Sequence, residues 1–405
     1  MAALGTPTCS GGSPMHDSPD DSRSLLGRLF GSAPSRRRVL GAAGLGAAGV
    51  ALGTAAAAAP GALRAPSPAV QRWRVDLDDV PHTRTWMSWP SRSSIWGGRA
   101  LAGVQEDIAL IAKTIARYEP VTMCAPDSYT ASTARSWCGP GVTVTTAIGT
   151  DDLWMRDIAP VFRRDGRGGI DAIGLNFNGW GNKQAHSYDR HVAESVAYEA
   201  HLPFSKTDFV GEGGSIETDG DGTVMATESS LVNKNRNPGW SRAEVEDAVL
   251  HAYGAEKMIW VPGIKGKDIT DDHIDVTSRF IRPGVVMVQV PPAGRDDIWA
   301  RDARQQFSIL SAATDARGRR LTVIKVDGPD TTRSKNPEFV DSYMNFHVVN
   351  GAVITAQFGD SAKDAAAKRA LAAAFPGRTV VQLDVDRLMA GGGGIHCSTM
   401  AEPRP

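Results

Sequence analysis

Cysteine is scarce in this chain. Of four in 405 residues, Cys9 lies in an N-terminal stretch of different composition, which leaves Cys124, Cys138 and Cys397. Three scattered thiols make neither a disulfide framework nor a Cys-x-x-Cys metal site. Cys124 and Cys138 could pair in an oxidising compartment or stay as buried thiols, since spacing carries no geometry. A charge of one sign is also lacking: 44 Lys+Arg stand against 45 Asp+Glu, a formal net charge of -1. No broad basic field exists to collect nucleic acid or anionic lipid, and a small neutral or cationic partner fits better.

Residues 1–70 lack periodic apolar structure apart from one run, and Gly, Ser, Pro and Ala dominate them. Ser35-Arg36-Arg37-Arg38-Val39-Leu40 precedes an uncharged Gly/Ala-rich stretch from Gly41 to Ala59. This matches a twin-arginine export signal, with small residues suited to cleavage around 55–65. An uncleaved membrane anchor is the rival, and it is disfavoured because Gly and Ala partition poorly into a bilayer compared with Leu or Ile. The sequence thus predicts a leader over 1–70 and a single folded domain over 71–405. The twin-arginine translocase would deliver it to the cell envelope or the medium, with no stable membrane insertion after the leader is removed.

Hydrophobic residues make up 41%, enough for a buried core, and Gly 43 with Pro 24 marks many turns between short elements. From about Arg84 onward one order recurs: hairpin, helix, strand. In 216–228 two β-prone runs flank Asp219-Gly220-Asp221-Gly222, a hairpin signal. Ser241-Arg242-Ala243-Glu244 is a capping box ahead of a helix that Gly254 can stop, and 257–261 is a short apolar strand. The same order is read in 274–290 folded at Pro283-Gly284, with a helix over 296–313 and a strand over 321–326. It is read again in 343–358 turning at Asn350-Gly351, with a helix over 362–374 and a strand over 379–383. An earlier copy runs through 161–177, a helix over 190–201 and a strand over 208–210. A fifth joins both ends of the chain: strands near 397–401 and 84–89, a helix over 101–118, and a strand over 121–124. Repetition of a whole unit favours a ring or propeller-like α/β assembly over independent subdomains.

In four of these units the loop ahead of the hairpin holds a polar group: Asp157, Glu212, His273 with Asp275, and Cys397. Equivalent loops of a closed ring would share one pocket near the axis. A lone Cys is ordinarily a buried, inert thiol. Cys397, however, follows Gly391-Gly392-Gly393-Gly394-Ile395-His396, and four glycines point to close backbone approach or an unusual conformation at a nucleophile. His273 is the best distant base for it, whereas strand alternation would turn His396 to the opposite face. An extended His273-Ile274-Asp275 would put imidazole and carboxylate on one side; no second His or Cys lies at metal-ligand spacing. Acids ordinarily sit in water. Converging carboxylates such as Asp157 and Glu212 nevertheless match the five forked donors of a guanidinium, and Trp154 could cover its flat face.

Several motifs then carry a resemblance. They are Thr85-Trp86-Met87-Ser88-Trp89-Pro90, Leu153-Trp154-Met155-Arg156-Asp157, Asn176-Phe177-Asn178-Gly179-Trp180-Gly181, Glu212-Gly213-Gly214, His273-Ile274-Asp275, Tyr343-Met344-Asn345-Phe346 with Gln357-Phe358-Gly359-Asp360, and Gly391 to Cys397. In this order they resemble the agmatine deiminase family, grouped with peptidylarginine deiminases of the Porphyromonas type, over nearly the whole of 85–400. The resemblance implies the pentein fold, an α/β ring of five ββαβ-type units about a pseudo-fivefold axis. It implies hydrolysis of agmatine to N-carbamoylputrescine and ammonia, with a secreted peptidylarginine deiminase producing citrulline as the alternative. By the same resemblance Cys397 is the nucleophile of a covalent thiouronium intermediate, His273 the general acid/base and Glu212 the group that orients it. Asp157 and Asp275 would grip the guanidinium, Trp154 and Trp180 would line the substrate, and no metal or organic cofactor is needed. Peptidyl enzymes place arginines in the segment matching 177–181, where this chain has Gly and Trp; Lys183 is near enough in sequence to read a carboxylate. The chain departs from the family at Gly394, typically Asn, and at Asp271-Asp272, where Gly usually precedes the His. Two rivals are a Cys/His/Asp peptidase or amidase and a non-catalytic pentein-fold binding protein; retention of Cys397 and His273 argues against the second. A homo-oligomer is left open.

Overall fold

The computed structural model describes residues 73–405, so the export-signal reading of 1–70 lies outside the described residues. The described chain is a mixed α/β fold of five small sheets. It opens with β1 (His82–Ser88), β2 (Val121–Cys124) and β3 (Val142–Thr145). One unit then repeats: an antiparallel hairpin, a helix, and a third strand laid parallel to the second. It comprises β4 (Val161–Arg164), β5 (Ile170–Gly174) and β6 (Phe204–Lys206); then β7 (Ile216–Thr218), β8 (Thr223–Thr227) and β9 (Lys257–Val261). It continues with β10 (Ser278–Arg282), β11 (Val285–Val290) and β12 (Thr322–Asp327), and with β13 (His347–Val349), β14 (Ala352–Ala356) and β15 (Thr379–Leu383). The fifth copy is built from both chain ends. The last strand, β16 (Thr399–Pro403), pairs antiparallel with β1, and β2 joins β1 in parallel.

The third unit shows why the sequence folds this way. Asp219 Oδ1 accepts from Asp221 N and Thr223 N, both at 2.8 Å, and so closes the hairpin turn. Parallel pairing of β8 with β9 requires a crossover, and the helix Arg242–Tyr253 supplies it. Ser241 and Glu244 form the reciprocal capping box, and Gly254 ends the helix at φ 62 in the left-handed region. The helix buries Val245, Val249, Ala252 and Tyr253 in a cluster with Val224, Ala226 and Trp260. Burying a side chain such as Val245 contributes about 2 kcal/mol.

Two expectations need correction. The strand expected at 208–210 lies instead at Phe204–Lys206. Asn176, at φ 58, donates from Nδ2 to the carbonyls of Thr207 (2.7 Å) and Phe209 (3.0 Å), so a side-chain amide takes the place of further ladder bonds. The first unit also carries a helix, Ser128–Cys138, and strand β3 that the sequence reading did not contain. Cys124 and Cys138 are both buried free thiols, and burial pushes each up to about 12. Among the described residues no helix is long and apolar enough to cross a membrane.

Candidate functional site

Every sheet contributes through the segment just ahead of its first strand. Asp157 lies in the short helix Met155–Ile158 before β4, and Glu212 precedes the 3-10 turn Gly213–Ser215 that leads into β7. His273 precedes a second such turn, Ile274–Val276, before β10. Asn345 sits two residues ahead of β13 and Cys397 two ahead of β16. The segment after His273 is therefore a turn rather than the extended run expected, yet both side chains still converge. A Cβ placed on Gly214 would lie 2.8 Å from Asp157 Oδ1, 2.9 Å from His273 Nδ1 and 3.2 Å from Asp275 Oδ2. Only glycine leaves that point free.

The five expected polar residues thus come together. Asp157 accepts from Gly214 N on Oδ1 (3.1 Å) and from the Trp180 indole N–H on Oδ2 (2.9 Å). His273 Nδ1 stands 3.7 Å from Asp157 Oδ1, and its Nε2 is 3.3 Å from Glu212 Oε2. Glu212 is held in turn by Arg236 Nε at 2.8 Å. Cys397 Sγ lies 3.5 Å from Asp275 Oδ2, and Asn345 Nδ2 donates to both, at 3.0 Å to sulfur and 3.3 Å to oxygen. Asp275 Oδ1, fully buried, has no hydrogen-bond partner among the described residues.

The glycine run before Cys397 is explained mainly by close approach. A Cβ on Gly393 would fall 2.5 Å from the Trp154 ring, and one on Gly394 2.7 Å from both Asn345 Oδ1 and Met389 Sδ. The space that the family's Asn would need is filled. Gly392 alone takes a positive φ, of 90. Trp154 packs against Trp96, ring centroids 5.8 Å apart. Trp180 is buried, edge-on to Phe177, with its N–H directed to Asp157. Asp271 and Asp272 adopt φ 62 and φ 72, the left-handed backbone that suits glycine and that Asp tolerates. Asp271 Oδ2 receives Arg236 Nη1 at 2.6 Å and Lys183 Nζ at 2.7 Å. Lys183 also donates to the carbonyls of Asp268 and Ile269, so its ammonium is occupied.

Charge is balanced around a buried centre. Burial raises Asp157 to about 6, with Glu212 and Asp275 adding to it and His273 opposing. For His273 burial works downward, but Asp157, Glu212 and Asp275 outweigh it and bring the imidazole up to about 9. Burial also works against ionised Glu212, yet Arg236 and His273 hold it below its ordinary value. Burial, then Asp275 and Asp157, keep the Cys397 thiol well above its usual range. The resting site therefore holds a thiol beside an imidazolium, and a cation docked on Asp157 and Asp275 would favour the thiolate.

Four contributors were not among the sequence candidates: Asn345, Arg236, His396 and Asp78. Asn345 fills the loop position equivalent to the other four, so the repeat itself could have found it. His396 was expected to face away from Cys397 by strand alternation. Residues 395–398 form a turn instead, and His396 Nδ1 reaches Asp275 Oδ2 at 2.7 Å. Among the described residues Asp78, Glu217 and His396 group their ligand atoms within 4.8 Å. Arg279 already lies there, 2.7 Å from Asp78 and 2.6 Å from Glu217, so a guanidinium occupies the place of a cation.

Residues 75–403 match the family model for Porphyromonas-type peptidyl-arginine deiminase. The agmatine deiminase of Stutzerimonas stutzeri is 36% identical over 350 residues, 80% of this chain and 94% of that protein. The agmatine deiminase of Medicago truncatula is 34% identical over 370 residues, 83% of this chain and 98% of that one. Among solved structures, the agmatine deiminase of Enterococcus faecalis superposes with a TM-score of 0.77 at 29% identity, covering 82% of this chain and 96% of that one.

Proposed function

Because the chain belongs to the Porphyromonas-type peptidyl-arginine deiminase family, we propose that it hydrolyses agmatine to N-carbamoylputrescine and ammonia. The observation that carries this reading is the Asp275 carboxylate. Oδ2 faces the Cys397 thiol at 3.5 Å, and Oδ1 is buried without a hydrogen-bond partner among the described residues. A charged N–H donor would satisfy it, and Asp157 lies across the Gly214 point to take the guanidinium from the other side. Trp154 covers the planar group. The five sheets, on this reading, close about a pseudo-fivefold axis that passes through the site.

Docking of the cation offsets the two acids that hold the thiol up, and the Cys397 proton passes to solvent. The thiolate adds to the guanidinium carbon, forming a C–S bond. His273, as imidazolium, gives a proton to the departing amino group, and ammonia leaves a covalent thiouronium. Neutral His273 then takes a proton from water and hydroxide adds to the same carbon. As the C–S bond breaks, the new hydroxyl gives its proton to the departing sulfur, which returns the Cys397 thiol, the His273 imidazolium and the neutral ureido product. Glu212, braced by Arg236, keeps His273 aimed and charged.

Agmatine is favoured over arginine because the cation nearest in sequence to the substrate loop is already used. Lys183 is bonded to Asp271 and two carbonyls, and an α-carboxylate would have to break that set. The test compares kcat/KM for agmatine, free arginine and a peptide ending in arginine. Agmatine should lead by at least about tenfold, roughly 1.4 kcal/mol; a lead for the peptide would transfer the assignment to peptidylarginine.

A further inference from the structure

His396 is wedged between two carboxylates. Its Nδ1 lies 2.7 Å from Asp275 Oδ2 and its Nε2 lies 3.0 Å from Asp78 Oδ2, with the ring side chain 1% exposed. A proton on each nitrogen, or one on the ring and one on a carboxyl group, makes both contacts hydrogen bonds, and a ring rotation would lose them. The Asp275 oxygen so engaged is also the one that Asn345 and Cys397 face. Its twin, Oδ1, is buried and has no hydrogen-bond partner among the described residues.

Asp78 is itself fixed from several directions. It comes from the stretch ahead of β1, where Arg74 exchanges both backbone hydrogen bonds with Arg164 (3.0 and 2.9 Å) and Val75 N donates to Tyr253 O at 3.0 Å. Leu77 is buried among Ile259, Phe280 and Val286. Arg279 Nη2 reaches Asp78 at 2.7 Å, and its Nη1 donates to Phe346 O at 2.8 Å, one residue past Asn345. Arg156 Nη2, from the Asp157 helix, stands 3.5 Å from the same Asp78 oxygen. Arg156 also donates its backbone N–H to Cys397 O at 3.0 Å, whereas His396 connects Asp78 to Asp275 side chain to side chain.

We infer that Asp78 is a positioning residue: through His396 it fixes the Asp275 carboxylate, so that one oxygen is filled and the other is presented to the substrate guanidinium. This rests on the agmatine-hydrolase reading of the site. The groups that face the relay are Asp78, Asp275, Glu217, His347, Arg156 and Arg279 around His396, and His396, His273, Cys397, Glu217, Arg279 and Asp157 around Asp275. Burial alone would raise Asp275, but the His396 hydrogen bond, with His273 and Arg279, brings it below its ordinary value; burial, Arg156 and Arg279 hold His396 below its own. Freeing the ring raises Asp275 again; the acidic limb of kcat/KM, set in the parent by Asp157 at about 6, moves to higher pH where Asp275 rises past Asp157.

The test uses the full chain with Asp78→Ala, Asp78→Asn, His396→Ala and the double variant Asp78→Ala/His396→Ala. Ammonia release from agmatine is followed across pH, alongside the imidazole N–H signals of 15N-histidine-labelled protein, with His396 assigned by its loss in His396→Ala. Asp78→Ala should lower kcat/KM at least about thirtyfold, while Asp78→Asn, whose amide can donate to Nε2, stays within about fivefold. In the His396→Ala background, Asp78→Ala should add less than about twofold. Its acidic limb should shift upward, and the protected His396 Nδ1–H signal of the parent should vanish. Equal losses in Ala and Asn with an unmoved limb would make Asp78 a counter-ion of the arginines and overturn the proposal. Should Asp78→Ala not fold, a thirtyfold loss in Asp78→Asn with an unmoved limb overturns it alone. A freely exchanging His396 ring in the parent overturns it too. Absence of agmatine turnover in the parent would sink the substrate reading instead, and the imidazole signals would still decide the relay.

Discussion

His273 sits between two acids, and the balance between them sets the pH range in which the site can work. With its imidazole at about 9, it is protonated at neutral pH and ready to hand a proton to departing ammonia. Turnover should therefore fall as pH rises through about 9. The sign for stability is the same: the folded value lies above the ordinary 6.5, so the contribution is complete below 6.5 and is lost as pH climbs through about 9. Glu212→Gln removes one of the charges that hold His273 up, so the alkaline limb of kcat should move to lower pH. A melting curve belongs beside that profile, because Arg236 is fully buried and loses a charged partner in the variant. An alkaline limb that stays in place would show that another group sets it. Cys397 is tested more directly. Cys397→Ser should abolish turnover with the melting temperature kept, and acid-quenched parent enzyme should carry an agmatine-derived mass that the variant lacks; turnover in the variant near the parent rate would remove the covalent step.

The chemistry is mounted on turns, and their tightness is what glycine provides. At Gly214 a single methyl group would intrude on Asp157, His273 and Asp275 together, at 2.8 to 3.2 Å. Gly214→Ala should fold, yet lose at least about a hundredfold in kcat/KM, since displacements of the order of 1 Å carry such losses. Parent-like kinetics with an unchanged melt would mean that the three groups do not work from this point. The same turns mark where sequence legibility stopped. Strands Val121–Cys124, Lys257–Val261 and Thr379–Leu383 stand where their apolar runs and flanking turn residues put them, because alternation and capping are local signals. β6 was displaced because the Asn176 amide, not a strand pattern, ends its ladder. The turns at Ile274–Val276 and around Cys397 read as extended because buried apolar residues such as Ile274 and Ile395 alternate there with polar ones, a pattern that a turn can also carry. Cys397, His273, Glu212, Asp157 and Asp275 were legible as unusual residues at equivalent places of a repeat. Arg236, His396 and Asp78 act on other side chains rather than on an open cavity, and their meaning depends on contacts between distant segments. Asp78 and His396 are 318 positions apart.

At the scale of the molecule, the site is completed by pairing between segments far apart in sequence. β16 closes the sheet begun by β1, and Cys397 stands just before it, so the thiol takes its place only when those two segments have met. A protein assembled in this way suits a transport route that carries folded chains, which is the route that Arg36-Arg37 and the Gly/Ala stretch after them fit. We propose that the chain is exported folded by the twin-arginine translocase, with removal of the leader. Replacing Arg36 and Arg37 together by Lys keeps the charge while removing the paired guanidinium groups. Cells making the parent should then hold shortened, active protein in the envelope or the medium, whereas cells making the double variant should hold full-length protein in the cytoplasm. The cytoplasmic variant should release ammonia from agmatine as the parent does, because residues 36 and 37 lie far upstream of 75–403, the span of the family match. Equal amounts outside the cell for both forms would assign export to another signal, and full-length protein outside would place the cleavage reading in error while leaving the route intact.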